Sequence, residues 1–279
     1  MFVSPMLLQY TENNLPFDSP NHAAELKFDG FRLVLSKMDQ VRLYTRHNNE
    51  VTTTFSELLE IDLPNNTILD GEVILTDNQG KPDFEELQKR FKSKRDKRKV
   101  TFVAFDIVMY KGVDVTGLPL FRRKELLEEA FPESDRHTKS RFMTGSPVDV
   151  FEVVKGAMLE GIVIKNINST YKVNKRSWDW QKAINWTYAD VHITGYRKNE
   201  FGWLTSIITE NGTLRPVGIL ELGVSPDQKK EFNRVKKKLA YKEDNNYVYM
   251  EPFVKARVKT RNWTKNGMLR SPAMESFIL

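Results

Sequence analysis

Two alternating runs, Trp203 to Thr209 and Thr213 to Leu222, are joined through Asn211-Gly212. Asn and Gly enter positive φ at least cost, and between alternating runs they close a hairpin. The pair therefore commits this stretch to antiparallel neighbours, because parallel strands need a long crossover. Further short runs surround it: Val191 to Tyr196 before, then Tyr247 to Met250 and Ala256 to Arg261 after, with Asn199-Glu200-Phe201-Gly202 as another turn. One helix interrupts them. Ser225 is its cap, Pro226 sits in its first turn, Gln228 closes a capping box, and Phe232, Val235 and Leu239 share one face.

Several short strands plus one helix predict a small barrel, with the OB-fold as the best-fitting type. The preceding part has a different texture. Strand-like runs (Phe31 to Ser36, Val41 to Thr45, Thr67 to Leu75, Val100 to Val108, Gly161 to Lys165) alternate with a helix capped by Asp83 and another over Arg122 to Ala130. The fold class is thus α+β: an N-terminal domain of mostly antiparallel sheets and helices over residues 1–187, then a barrel over 188–279, with a hinge at Asn185 to Asp190.

Charge follows the same division. Residues 186–279 hold 16 of the 43 Lys+Arg and 10 of the 37 Asp+Glu, which leaves 27 of each in the rest of the chain. The whole excess of +6 lies in the barrel, where it suits a polyanion. Cysteine is absent, which excludes disulfides and a thiolate nucleophile, and the 4 histidines are scattered. No apolar run approaches the roughly 18 residues of a membrane span, and Met1-Phe2-Val3-Ser4-Pro5 has no basic lead. The expectation is a cytoplasmic monomer with no membrane partner.

Chemistry enters at Lys27-Phe28-Asp29-Gly30. An amine, an acid two residues on and a glycine make a site for a covalent phosphoramidate, though an ordinary charged strand end reads the same way. Four further elements follow in order: Asp70-Gly71-Glu72-Val73, Phe102 to Ile107, Glu160 to Lys165, and Trp180-Gln181-Lys182. Taken together, they resemble motifs I, III, IIIa, IV and V of the covalent nucleotidyltransferases, and specifically those of the small two-domain ATP-dependent DNA ligases of bacteria and phages. The segment Arg257 to Pro272 resembles the C-terminal stretch of the same ligases.

The resemblance implies sealing of nicks in double-stranded DNA through a lysyl-AMP and an adenylated 5′-phosphate. It makes Lys27 the nucleophile and gives Lys182 the α-phosphate contact, with help from Lys165. Glu25 matches the position that reads the adenine edge, Phe105 and Val163 would sandwich the base, and Arg32 would touch the nucleotide. Glu72 and Glu160 match the acidic positions for Mg²⁺, with Mn²⁺ as a substitute, Glu72 serving the ribose or the metal. Arg46 and Arg176 match positions that hold the nick's 5′-phosphate, and Arg270 would face the ATP site during the first step.

Two departures stand out. Motif V usually reads Lys-x-Lys, whereas Ile184 occupies the second place. If Lys182 acts alone, Ile184→Lys should be harmless or favourable. The segment around Leu269-Arg270-Ser271-Pro272 also lacks a later basic residue common in relatives. An RNA ligase, a guanylyl-transferring capping enzyme and a non-catalytic nucleic-acid-binding module are the alternatives. The run Trp263 to Arg270 favours DNA ligases over capping enzymes, and the four charged motif residues speak against a mere binder.

Overall fold

The computed structural model describes residues 1–93 and 95–278. The chain forms two compact units, Met1–Asn185 and Trp186–Leu279. No helix among the described residues is long and apolar enough to cross a membrane.

The first unit runs β1 (Leu7–Tyr10), β2 (His22–Leu26), β3 (Phe31–Lys37), β4 (Val41–Thr45), β5 (Thr67–Ile74), α1 (Phe84–Lys92), β6 (Thr101–Tyr110), β7 (Val113–Asp114), α2 (Leu120–Ala130), β8 (His137–Lys139), α3 (Pro147–Gly156), β9 (Gly161–Asn166) and β10 (Arg176–Ile184). Two sheets result. One has the order β1-β10-β9-β2; the other has β4-β3-β5-β6-β7, with β8 parallel to β6. A buried cluster of Met6, Val34, Phe105, Leu120, Tyr171 and Trp180 draws on both sheets. Leu87 of α1 and Leu127 of α2 pack with Leu33, Leu69 and Phe102 of the larger sheet. Val150, Phe151 and Val154 of α3 pack on Ala24, Ile162 and Ala183 of the smaller one.

Local chemistry explains the helix starts. The Asp83 side chain accepts from the Glu86 amide at 3.1 Å, and Ser146 accepts from the Asp149 amide at 3.1 Å. Each such cap contributes about 1 kcal/mol by satisfying a donor the helix cannot. A bidentate pair, fully buried, anchors α2: Arg123 donates to Asp106 at 2.8 and 2.9 Å.

The second unit comprises β11 (Thr187–Arg197), β12 (Trp203–Ile208), β13 (Leu214–Leu220), α4 (Pro226–Leu239), β14 (Ala240–Glu243), β15 (Tyr247–Thr260) and β16 (Ala273–Ile278). Antiparallel pairing joins β13 to β12, β12 to β11, β11 to β15 and β15 to β16. A parallel bridge between Leu222, just past β13, and Ala273 closes the circuit, with the Met274 amide donating to Leu222 O at 2.9 Å. The cyclic order β11-β12-β13-β16-β15, with a helix after the third strand, is the OB topology. Inside it pack Val191, Ile193, Val217, Leu220, Ala256 and Val258.

Two sequence expectations change here. Tyr247 to Met250 and Ala256 to Arg261 are parts of one strand, β15, despite Pro252. The partner of β11 jumps from Val254 to Tyr249 between Ile193 and Gly195. Pro252 falls in the resulting bulge, where no ladder amide is needed. The expected hinge also narrows: Thr187 to Asp190 pair with Thr260 to Arg257 inside β11, so only Asn185 and Trp186 lie between β10 and β11.

Candidate active site

Lys27 follows β2 directly, and its amide donates to Gly161 O at 2.9 Å. That bond sets the end of β2 beside the start of β9, so Lys27 and Glu160 meet. Lys27 Nζ lies 2.8 Å from Glu160 Oε2. Gly30 makes the next approach possible: a Cβ there would sit 2.2 Å from Val73 O and 2.9 Å from Glu72 Cγ. Its φ is not positive, so close packing on β5, not turn geometry, demands glycine here. Gly71 is equally constrained, with Phe102 ring atoms 2.5 Å from the position of a Cβ.

The loop after β2 thereby brings Lys27 against the larger sheet. A cleft opens between the two sheets, with an empty volume of about 380 Å³ counted to its mouth. Glu25, Lys27, Val163, Lys165 and Trp180 line it from one side, and Arg32, Glu72 and Phe105 from the other.

Its electrostatics are unusual. Burial pushes the Glu72 carboxyl up to about 7; Lys27 and Arg32 pull it down, while Glu160 and Asp70 push it up. Burial drives the Lys165 ammonium down to about 8, against the pull of Glu25. Glu25 itself is held below its ordinary range: burial opposes ionisation, but Lys124 at 2.7 Å and Lys165 at 2.9 Å outweigh it. Ser140 also donates to Glu25, at 2.8 Å. Arg32 donates to Asp70 at 2.6 and 2.5 Å, and Tyr171 donates to the same carboxylate at 2.5 Å.

Two cations stand near the Phe105 ring, the Arg32 guanidinium 4.4 Å and the Lys165 ammonium 4.8 Å from its centre. A lysine amine, further cations and an apolar wall suit an anionic ligand that carries a flat ring. Among the described residues no group of three His, Cys, Asp or Glu could hold a metal ion. Glu72 and Glu160 offer two hard oxygen donors, the number Mg²⁺ commonly takes when phosphates supply the rest, so the residues fit that ion.

Residues 5–183 match the family described as the ATP dependent DNA ligase domain. The chain belongs to the ATP-dependent DNA ligase family. The ligase is 42% identical to the SPbeta prophage-derived DNA ligase-like protein LigB of Bacillus subtilis (strain 168), over 99% of each chain. It is 31% identical to DNA ligase C of Mycobacterium tuberculosis (strain ATCC 25618 / H37Rv), covering 78% of this chain and 66% of that one. Among solved structures, the ligase domain of M. tuberculosis LigD aligns with a TM-score of 0.59 at 24% identity, over 99% of this chain and 95% of that one. A Lig E DNA ligase structure aligns at 0.68 and 18% identity over the whole of both. These two bear on the fold alone.

Of the residues singled out in its sequence, the ligase gathers Glu25, Lys27, Arg32, Glu72, Phe105, Val163 and Lys165 around one cleft, and Glu160 beside Lys27. Four lie elsewhere. Lys182 pairs with Val163 across the sheet, but it is not among the cleft's lining residues, and its ammonium sits 4.0 Å over the Tyr10 ring. Arg46 is exposed in the turn after β4, and Arg176, exposed at the start of β10, donates to Leu8 O. Arg270 belongs to the second unit. Ile184 is 1% exposed, so the second motif V position points into packed protein.

Sequence reasoning missed Leu8 and Trp180 as lining residues and Lys124, Ser140 and Tyr171 as supports. Trp180 stood two places before a recognised lysine, a usable signal; the other four had none. It also missed α3, although Ser146-Pro147 repeats the cap of α4.

Proposed function

We propose that the ligase seals nicks in duplex DNA, as a monomer, through a covalent AMP on Lys27. The observation that carries this reading is the Lys27 Nζ to Glu160 Oε2 contact of 2.8 Å at a cleft walled by cations and an aromatic ring.

In the first step Lys27 Nζ attacks the α-phosphorus of ATP. An N–P bond forms, the bond to the β-phosphate oxygen breaks, and pyrophosphate leaves. The amine must be neutral to attack, and Glu160 Oε2 is within proton-transfer distance of it. Phe105 and Val163 hold the adenine between them, while Arg32, braced by Asp70, and Lys165, braced by Glu25, face the ligand. Glu25, on the cleft wall, braces Lys165 and stands where the resemblance puts the group that reads the adenine edge. Glu72 and Glu160 would hold Mg²⁺, which offsets phosphate charge when bound.

Next the 5′-phosphate at the nick displaces Lys27, so the N–P bond breaks and a phosphoanhydride to AMP forms. The 3′-hydroxyl then attacks the 5′-phosphorus and AMP leaves. Arg46 and Arg176 contribute the guanidinium groups that hold the 5′-phosphate, as forks suited to bidentate contact.

Incubation with ATP followed by intact mass and peptide mapping tests the first step, and one AMP on Lys27 is expected. An adduct on Lys27→Ala at near wild-type level would remove Lys27 as nucleophile. Sealing of a nicked DNA duplex against a nicked RNA duplex tests the substrate; faster sealing of RNA would overturn the DNA assignment.

A further inference from the structure

Outside the catalytic cleft, the second unit carries a cleft of its own between α4 and the β11–β12 turn, with an empty volume of about 500 Å³ counted to its mouth. Trp203 and Phe232 are buried there with ring centres 4.4 Å apart. Lys229 and Lys236 stand on the rim, each over an aromatic ring: Lys229 is 4.0 Å from the Phe201 centre and Lys236 4.8 Å from that of Tyr196. Neither lysine is committed to a carboxylate. Among the described residues none of Lys229, Lys230, Arg234, Lys236, Lys237 and Lys238 forms an ion pair.

The geometry of α4 concentrates this charge. Its 14 residues include those six cations and two acids, Asp227 and Glu231. Positions 229, 233 and 236, spaced four and three apart, form a ridge beside the apolar stripe of Phe232 and Leu239. Asp227 and Glu231 lie about half a turn round the helix from that ridge. The lysine stems cover aromatic surface and leave their ammonium heads at the solvent edge. Seven residues along a helix are about 10 Å, the scale of neighbouring phosphates along one strand and farther than one small anion spans. Two unpaired cations at that spacing match phosphates along one strand, where a single small anion could reach only one of them.

We propose that the cleft between α4 and the β11–β12 turn is a phosphate-backbone site for duplex DNA, with Lys229 and Lys236 as its contacts. The ring faces of Phe201 and Tyr196 hold those ammonium groups in place before DNA arrives. The inference rests on the duplex-DNA reading above and adds to it a surface apart from the catalytic cleft.

Affinity for nicked duplex is measured across a salt series for the full chain, for Lys229→Gln/Lys236→Gln, and for Lys230→Gln/Lys238→Gln, which removes the same charge elsewhere on α4. Each phosphate contact contributes about 0.9 to the log–log slope. The first variant should lower the slope by about 1 to 2 and the second by less than half of that, with AMP attachment unchanged in both. Equal slope losses in the two variants would mean diffuse charge only and overturn the site. So would an unchanged slope in the first variant, or loss of binding to a polyglutamate peptide without change toward DNA. Failure of the wild-type chain to take AMP or seal nicks would sink the catalytic reading instead, and the slopes would still report on α4.

Discussion

Glu72 is held in the cleft at a cost to stability. Its carboxyl titrates near 7 in the folded protein against an ordinary 4.5, burial being the main cause. Between those values the folded state keeps a proton that the unfolded state has released, so raising the pH disfavours folding. A displacement of this size corresponds to about 3 kcal/mol, fully developed above pH 7 and absent below pH 4.5. Glu72→Gln removes the charge at constant shape. The unfolding free energy of the variant minus that of wild type should therefore grow by up to about 3 kcal/mol between pH 4.5 and pH 8. For a domain of this size that is roughly 6–12 °C in the melting temperature of the first unit. Thermal and urea unfolding without nucleotide at both pH values measures it. His22, His137 and Lys165 also titrate abnormally, but both proteins share them and the difference cancels their contribution. A difference that does not change with pH would refute the reasoning. Because Glu72 is also one of the two proposed metal-binding carboxylates, the stabilised variant should be slower to take up AMP.

Three further outcomes follow from the site's packing. Lys27→Ala should form no AMP adduct and should melt below wild type, since its side chain is only 18% exposed and its loss removes the ammonium 2.8 Å from the nearly buried Glu160 carboxylate; intact mass and a melting curve read both. Gly30→Ala forces a Cβ to within 2.2 Å of Val73 O, and a backbone shift there should lower AMP attachment by on the order of 100-fold, which a labelled-ATP time course would contradict if the rate stayed within threefold. Ile184→Lys, harmless by sequence reasoning, should instead cost about 3 kcal/mol or more by burying an ammonium at a position 1% exposed; an unchanged melting point with faster sealing would restore the first expectation.

Local signals carried the fold a long way. Periodicity marked β3, β4, β5, β6 and β9 within a residue or two, and the Ser225 box marked the start of α4. What escaped was non-local. The pairing of β1 with β10 joins residues about 170 positions apart, and nothing in Leu7–Tyr10 announces a partner at Arg176–Ile184. Pro252 stands inside β15 because a bulge excuses its missing amide. In the site, short motifs found many of the residues that line the cleft, but Lys124 and Tyr171 act through carboxylates that only folding brings to them. Lys182 shows the opposite limit, a motif residue on the neighbouring strand that lies outside the cleft's lining.

The pairing of β1 with β10 also sets a timetable for synthesis. Leu8, made first, and Trp180, made near the end of the first unit, line the same cleft, and the Met6 amide bonds to the Tyr171 hydroxyl across 165 positions. A ribosome adding about 5–20 residues per second therefore holds Leu7–Tyr10 without its sheet neighbour for roughly ten seconds or more. Lys27 likewise precedes Glu160 by 133 positions. The cleft assembles only once the β10 segment has left the exit tunnel.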